Sequence, residues 1–259
     1  MTTTRAVEAG ETPPRRARFD GDRPFIVFER LGAVLFPMSC PACRRFLGRI
    51  ESWPLCGECL TRVECTGAAI CAGCGRPLHG GEACKSCGDG RLPPPAFPIR
   101  SAARYAGPAK EAIVAAKSGG RADLAAWLGR TLAPLAEPFL DARRPDVVPV
   151  PLHPAKLALR GWSLPDRMAR RLALKLGGRF RPAWLERIRE TPTQVGRDWN
   201  QRWENVAGAF VRGRAPSLAG RLVFLVDDVA TSGSTLAAAG APLLDAGAEV
   251  VGLTVARVW

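Results

Sequence analysis

Four C-x-x-C pairs fall within 48 residues, at Cys40 and Cys43, Cys56 and Cys59, Cys71 and Cys74, and Cys84 and Cys87. The same stretch, 40–90, is rich in glycine and has no long periodic apolar segment, so something other than a hydrophobic core must order it. A C-x-x-C turn directs two thiolates at one metal, and two such turns complete a tetrahedron around zinc. Twelve residues separate the first two pairs and nine separate the last two, so the simplest assignment gives each neighbouring couple one ion. That makes Cys40, Cys43, Cys56 and Cys59 one ligand set, and Cys71, Cys74, Cys84 and Cys87 the other. Interleaved sharing stays open, as do redox chemistry and an iron–sulfur cluster, although four pairs so close together argue against a redox role. Such sites are closed by four thiolates and therefore structural. Cys65 reads as a bystander, and His79 is the one alternative ligand between the last pairs.

The compartment follows from the same cysteines. Residues 1–23 are polar, charged and proline-bearing, without the apolar core of an export signal, and read as a disordered tail. A cytoplasmic, reducing setting is therefore expected, where metal binding is a better prior than disulfides. Apolar runs break well short of the roughly 18 residues that a spanning helix needs, so no membrane span is expected. Lys and Arg number 37 against 24 Asp and Glu, a formal charge of +13. This favours polyanionic partners, though the arginines are scattered, as an arginine-rich proteome would also leave them.

Organisation changes twice along the chain. PFIVFERLGAVLFP (24–37) has helical apolar spacing and ends at Pro37, giving with the cysteines a module over 24–90. A proline-rich connector follows over 91–101. From 102 to 259, strands alternate with helices, the pattern of a parallel sheet covered on both faces. DVVPVPL (146–152), RLVFLVDDV (221–229) and EVVGLTVARV (249–258) are the expected buried strands, with SAARYAG (101–107) a further strand and turn. Helices are expected over 108–140, interrupted at Gly119 and Gly120, and over PDRMARRLALKLG and TLAAAGAPLLDAG.

The segment VFLVDDVATSGST (223–235) carries the chemistry. Four apolar residues run into adjacent carboxylates, Asp227 and Asp228, and then into a small, hydroxyl-rich turn that opens a helix. Backbone N–H groups, hydroxyls and the helix dipole converge there on an anion, while the carboxylates can accept hydrogen bonds from a diol. Two carboxylates ending one buried strand repel each other and lose hydration, so they need donors or a ligand. The carboxyl end of a strand is also where open parallel sheets bind ligands.

This segment resembles the signature of type I phosphoribosyltransferases. The resemblance implies that Asp227 and Asp228 hold the ribose hydroxyls of phosphoribosyl pyrophosphate (PRPP), while Val229, Ala230, Thr231, Ser232, Gly233, Ser234 and Thr235 surround its 5′-phosphate. The wider chain, from about Leu35 to the C-terminus, resembles the ComF family of bacterial competence proteins, which join a double zinc ribbon to a phosphoribosyltransferase domain. Besides the cysteine pairs, the likeness rests on Tyr105-Ala-Gly-Pro, Lys117 with Gly120 and Arg121, and Pro149-Val-Pro-Leu-His153 followed by Arg160-Gly161-Trp162. It also includes Arg189-Glu-Thr-Pro-Thr-Gln194-Val-Gly and Arg202-Trp-Glu-Asn205-Val-Ala-Gly-Ala-Phe210. The chain departs from the family at Trp162-Ser163-Leu164, where Phe-Asn-Gln is usual, and at Ser118, where an aromatic is common. Both departures fall on the pyrophosphate and acceptor side.

Two functions follow as expectations. In one, the protein binds PRPP or a related ligand and serves DNA uptake by handling single-stranded DNA, with Arg44, Arg45, Arg49, Arg62, Arg76 and Lys85 of the ribbons supplying charge and Phe46 and Trp53 stacking surfaces. A DNA-uptake helicase is a further expected partner of the ribbon. In the other, it is a transferase using PRPP with magnesium and an unidentified acceptor. Lys156, Arg160, Lys117 and Arg121 would then meet pyrophosphate, and Gln194, Arg202 and Asn205 would act from a mobile flap over 189–210.

Overall fold

A computed structural model describes residues 39–47, 54–78, 84, 87, 95–118, 121–190 and 206–259. The helix expected over 24–37, together with Arg49, Trp53, His79, Lys85, Gln194, Arg202 and Asn205, lies outside the described residues. Five parallel strands form the sheet: β1 (Ile99–Arg104), β2 (Asp146–Pro149), β3 (Arg179–Phe180), β6 (Leu222–Ala230) and β7 (Glu249–Arg257), in the spatial order β1-β7-β6-β2-β3. A two-stranded antiparallel ribbon, β4 (Leu185–Arg187) with β5 (Phe210–Arg212), stands apart from it.

The central strands are apolar throughout because both faces are covered. On one face Val147, Phe224, Val226, Leu253 and Val255 pack against α2 (Gly107–Ser118), α3 (Ala122–Thr131) and α6 (Leu164–Lys175). On the other, Val148, Val223, Leu225 and Val250 meet Leu236, Ala239 and Leu243 of α7 (Ser234–Asp245). Neighbours along β6 thus alternate between two cores, which is why no polar residue interrupts the run before Asp227. Helix α4 (Ala133–Ala136) continues α3, and α5 (Pro154–Arg160) follows β2. The fold class expected from sequence is present: a parallel sheet flanked by helices, with a cysteine module ahead of it.

The chain leaves β2 towards β3 on one side and leaves β6 towards β7 on the other. The adjacent carboxyl ends of β2 and β6 therefore form the switch point at which open α/β sheets leave a crevice.

The cysteine module is not a bead on a string. Between its two clusters, the chain pairs with the outer edge of β1: Cys65 bridges Ala103, Thr66 N donates to Ala102 O at 2.9 Å, and Arg104 N donates to Glu64 O at 2.8 Å. Cys65, read as a bystander, thus marks the strand-like segment that covers a sheet edge. Strand β1 itself begins at Ile99, within the proline-rich stretch, because Ile99 N finds an acceptor in Gly73 O at 2.8 Å. The first cluster joins the main core, where Cys40, Leu47, Leu55, Cys56 and Cys59 pack with residues of α2 and α3. The short helix α1 (Gly57–Thr61) carries Cys59.

At the amino end of the sheet, Asp146 is 2% exposed and takes two cations: Arg181 Nε at 2.9 Å on one oxygen and Arg221 Nη2 at 2.8 Å on the other. Both guanidiniums also stack on Trp184, at 5.3 and 5.2 Å from its ring centre. A buried carboxylate so paired locks β2, β6 and the segment after β3 together.

Candidate functional site

Asp227 and Asp228 sit near the carboxyl end of β6, with Asp227 opposite Thr254 of β7. The Asp228 amide donates to Asp227 Oδ1 at 2.8 Å, and Lys117 Nζ lies 2.8 Å from Asp228 Oδ1. Lys117 is in the last turn of α2, so the helix that follows β1 delivers its ammonium across the carboxyl ends of the strands. Burial pulls the lysine's pKa down, but the Asp228 and Asp227 carboxylates outweigh it and leave it raised. Asp227 is pushed up to about 7, first by burial and then by the charge of Asp228, although Lys117 and Arg187 oppose this. The pair thus holds one carboxylate in an ion pair and one poised near neutrality.

The turn after β6 draws its polar groups together at the start of α7. Gly233 has φ +87° and caps α7, and its carbonyl accepts from Ala237 N at 2.9 Å. Ser232 Oγ lies 2.9 Å from Ser234 Oγ and accepts from Ser234 N at 3.3 Å, so the hydroxyls and amides of the turn are drawn together. A methyl group on Gly233 would sit 3.4 Å from Ile99 Cδ1, in a backbone conformation that L-residues rarely adopt. Thr231 and Thr235 flank this turn and are partly exposed. At the neighbouring carboxyl end, that of β2, His153 caps α5 by accepting from Ala155 N at 3.3 Å.

Of the cations expected from sequence, Lys117 meets the acidic pair directly. Arg121 caps α3 and binds Asp123, with Nε 2.9 Å from Oδ1. Lys156 on α5 approaches Glu190 at 4.0 Å, and Arg160 is exposed at the end of that helix. Arg187 was not foreseen: it lies in β4, stacks over Phe210 at 5.2 Å, and its charge acts on Asp227. A three-residue strand leaves no periodic mark, and nothing in the sequence separates Arg187 from its many neighbours of the same type.

The sulfurs settle into two groups, Cys40, Cys43, Cys56 and Cys59, and Cys71, Cys74, Cys84 and Cys87, each with all four Sγ atoms within 4.8 Å of one another. Neighbouring pairs therefore share a site, and interleaving is ruled out by distance. In the first, burial pushes the Cys40 thiol up, but backbone N–H groups of Cys56, Cys43 and Ala42 bring it down to about 6. Cys59 is pushed up to about 12 by burial and by its neighbouring thiols. Crowded thiolates of this kind call for a cation among them, and four sulfurs in a closed set suit zinc. The two knuckles repeat each other: Arg44 N donates to Cys40 O at 2.8 Å, and Gly75 N donates to Cys71 O at 3.0 Å. Arg44 (φ 64°) fills in one knuckle the left-handed position that Gly75 (φ 71°) fills in the other. Only the second must be glycine, since a Cβ at Gly75 would lie 2.2 Å from Ile99 O.

A double module of four-cysteine clusters joined to a parallel sheet with an acidic pair and a hydroxyl-rich turn at its switch point defines a zinc-ribbon α/β protein. Residues 31–88 match the double zinc ribbon domain family. The DNA utilization protein YhgH of Escherichia coli, in strains O6:H1 and K12, is 34% identical over 231 residues, spanning 86% of this chain and 96% of the relative. Its Salmonella typhi counterpart is 32% identical over the same shares. The chain belongs to the ComF family together with these proteins. The solved L. donovani hypoxanthine-guanine phosphoribosyl transferase aligns at a TM-score of 0.31 with 16% identity, over 57% of this chain and 67% of its own, too shallow to carry an inference. No helix among the described residues is long and apolar enough to cross a membrane.

Proposed function

We propose that the protein binds the ribose 5-phosphate portion of PRPP or a related phosphoribosyl ligand, and that it serves DNA uptake or utilisation by handling single-stranded DNA. One observation carries the ligand reading: Asp227 and Asp228 lie near the carboxyl end of the central strand beside Lys117, two residues before a turn whose hydroxyls and amides converge. In this reading the carboxylates accept from the ribose diol, and residues 229–235 enclose the 5′-phosphate at the start of α7. Lys117, 2.8 Å from Asp228 Oδ1, fixes that carboxylate in place for the task. Lys156, Arg160 and Arg121 supply charge for a pyrophosphate with its magnesium, and Gln194, Arg202 and Asn205 act from the segment between β4 and β5. The relatives named DNA utilization proteins and the formal charge of +13 support a nucleic-acid role. Separate titrations of the zinc-loaded protein with Mg²⁺–PRPP and with single-stranded DNA test both halves. Binding of both supports the reading; no response to PRPP or to ribose 5-phosphate sinks the ligand half, and DNA binding insensitive to salt sinks the other.

A second reading, turnover of PRPP with an acceptor, is favoured by the divided pair itself. Two adjacent carboxylates, one of them held by Lys117, are placed to stabilise positive charge developing on ribose. Pyrophosphate release with a nucleobase, lost in the double variant Asp227→Asn and Asp228→Asn, is the outcome that this reading requires.

A further inference from the structure

Arg257 is the last residue of β7 and its side chain is fully buried. No carboxylate among the described residues pairs with it, and its Nε has no hydrogen-bond partner. A buried cation left in this state is costly, so its surroundings must supply compensating negative charge. Two candidates lie on either side. Nη1 donates to the carbonyl oxygen of Cys74, within the second sulfur cluster. Nη2 lies 3.7 Å from where a Cβ on Gly233 would stand, at the heart of the turn after β6. Arg257 is also the register partner of Ala230, and Val258 N donates to Ala230 O at 3.0 Å, so backbone and side chain both brace that turn.

Resting on the reading of 231–235 as a phosphate turn, we infer that Arg257 is the positioning residue through which the second cysteine cluster holds that turn. Zinc at Cys71, Cys74, Cys84 and Cys87 and an anion at the turn then reinforce each other. Zinc orders the knuckle whose Cys74 carbonyl fixes one end of the guanidinium, and a phosphate at the turn fixes the other; the coupling runs through the position of Arg257, against the repulsion of the two anionic groups themselves. Coupling of this kind is reciprocal: whatever zinc does for phosphate binding, phosphate does for zinc retention. The arrangement also gives the second ribbon a role inside its own chain, apart from any surface that it offers to DNA.

The test uses the full zinc-loaded chain and ribose 5-phosphate as probe. Zinc release to a chromogenic chelator is followed with and without the sugar phosphate. In the wild type, ribose 5-phosphate is expected to slow loss of one of the two ions by about fivefold or more. Arg257→Met is expected to abolish that dependence whatever it does to the basal rate, and Arg257→Lys to restore part of it. A dependence of wild-type size in Arg257→Met overturns the inference. A ligand-free arm, amide hydrogen exchange over 230–236, compares the wild type with Cys84→Ser plus Cys87→Ser. Faster exchange in the variant is expected, and unchanged protection overturns the inference even if ribose 5-phosphate proves not to bind, a result that would count against the ligand reading alone.

Discussion

Lys117 Nζ stands 2.8 Å from Asp228 Oδ1, joining the end of the first long helix to the end of the central strand. The pair is partly buried, with side-chain exposures of 29% and 14%, so the attraction is screened less than a surface bridge. Lys117→Met leaves Asp228 without its cation beside Asp227. Ribose 5-phosphate affinity is expected to fall about tenfold by calorimetry, corresponding to about 1.4 kcal/mol, and the apparent pKa of the pair to rise.

The acidic pair costs stability in a pH-dependent way. The folded protein holds the Asp227 proton up to about pH 7, whereas the unfolded chain releases it near the ordinary carboxyl value. Stability is therefore greatest below the unfolded pKa, falls as pH rises towards 7, and is level above. Asp227→Asn keeps the acceptor for the Asp228 amide and removes the charge. At pH 8 it is expected to be more stable than the wild type by roughly 1–2 kcal/mol after allowance for solvent screening, with no difference at pH 4. Denaturant unfolding at the two pH values measures this.

Gly233→Ala tests the turn by a different route. Its φ of +87° strains any L-residue, while the methyl itself would only touch Ile99. A loss of about 1–2 kcal/mol in stability is expected, together with loss of ribose 5-phosphate binding in a protein whose circular dichroism is native.

Asp146 separates scaffold from site. It lies at the opposite end of β2, 2% exposed, between Arg181 and Arg221. Asp146→Ala leaves two partly exposed guanidiniums without their counter-ion and is expected to lower stability by about 1.5–3 kcal/mol. Below its lowered melting temperature, ribose 5-phosphate affinity should match the wild type.

The long elements were legible because their signals are local. The apolar run of β6, the helix break after Ser118 and the cysteine spacing each follow from residues close in sequence, whereas the second break, after Thr131, was not foreseen. Strands β3, β4 and β5 and helix α5 were not foreseen. The strands are two or three residues long, and α5 buries none of its residues, so neither leaves a period to read. Lys117 could be placed at the site by its resemblance to a family motif. Arg187 and Arg257 could not, because their roles arise from tertiary approach: β4 beside the acidic pair, and β7 against a knuckle more than 180 residues earlier in the chain.

The most direct measurement is calorimetric titration of the zinc-loaded protein with ribose 5-phosphate and, separately, with inorganic phosphate. The sugar phosphate is expected to bind more tightly than phosphate, and Asp227→Asn with Asp228→Asn to remove that advantage while leaving phosphate binding in place. Equal affinity for the two ligands in the wild type, or an advantage that survives the double substitution, would contradict the ligand reading.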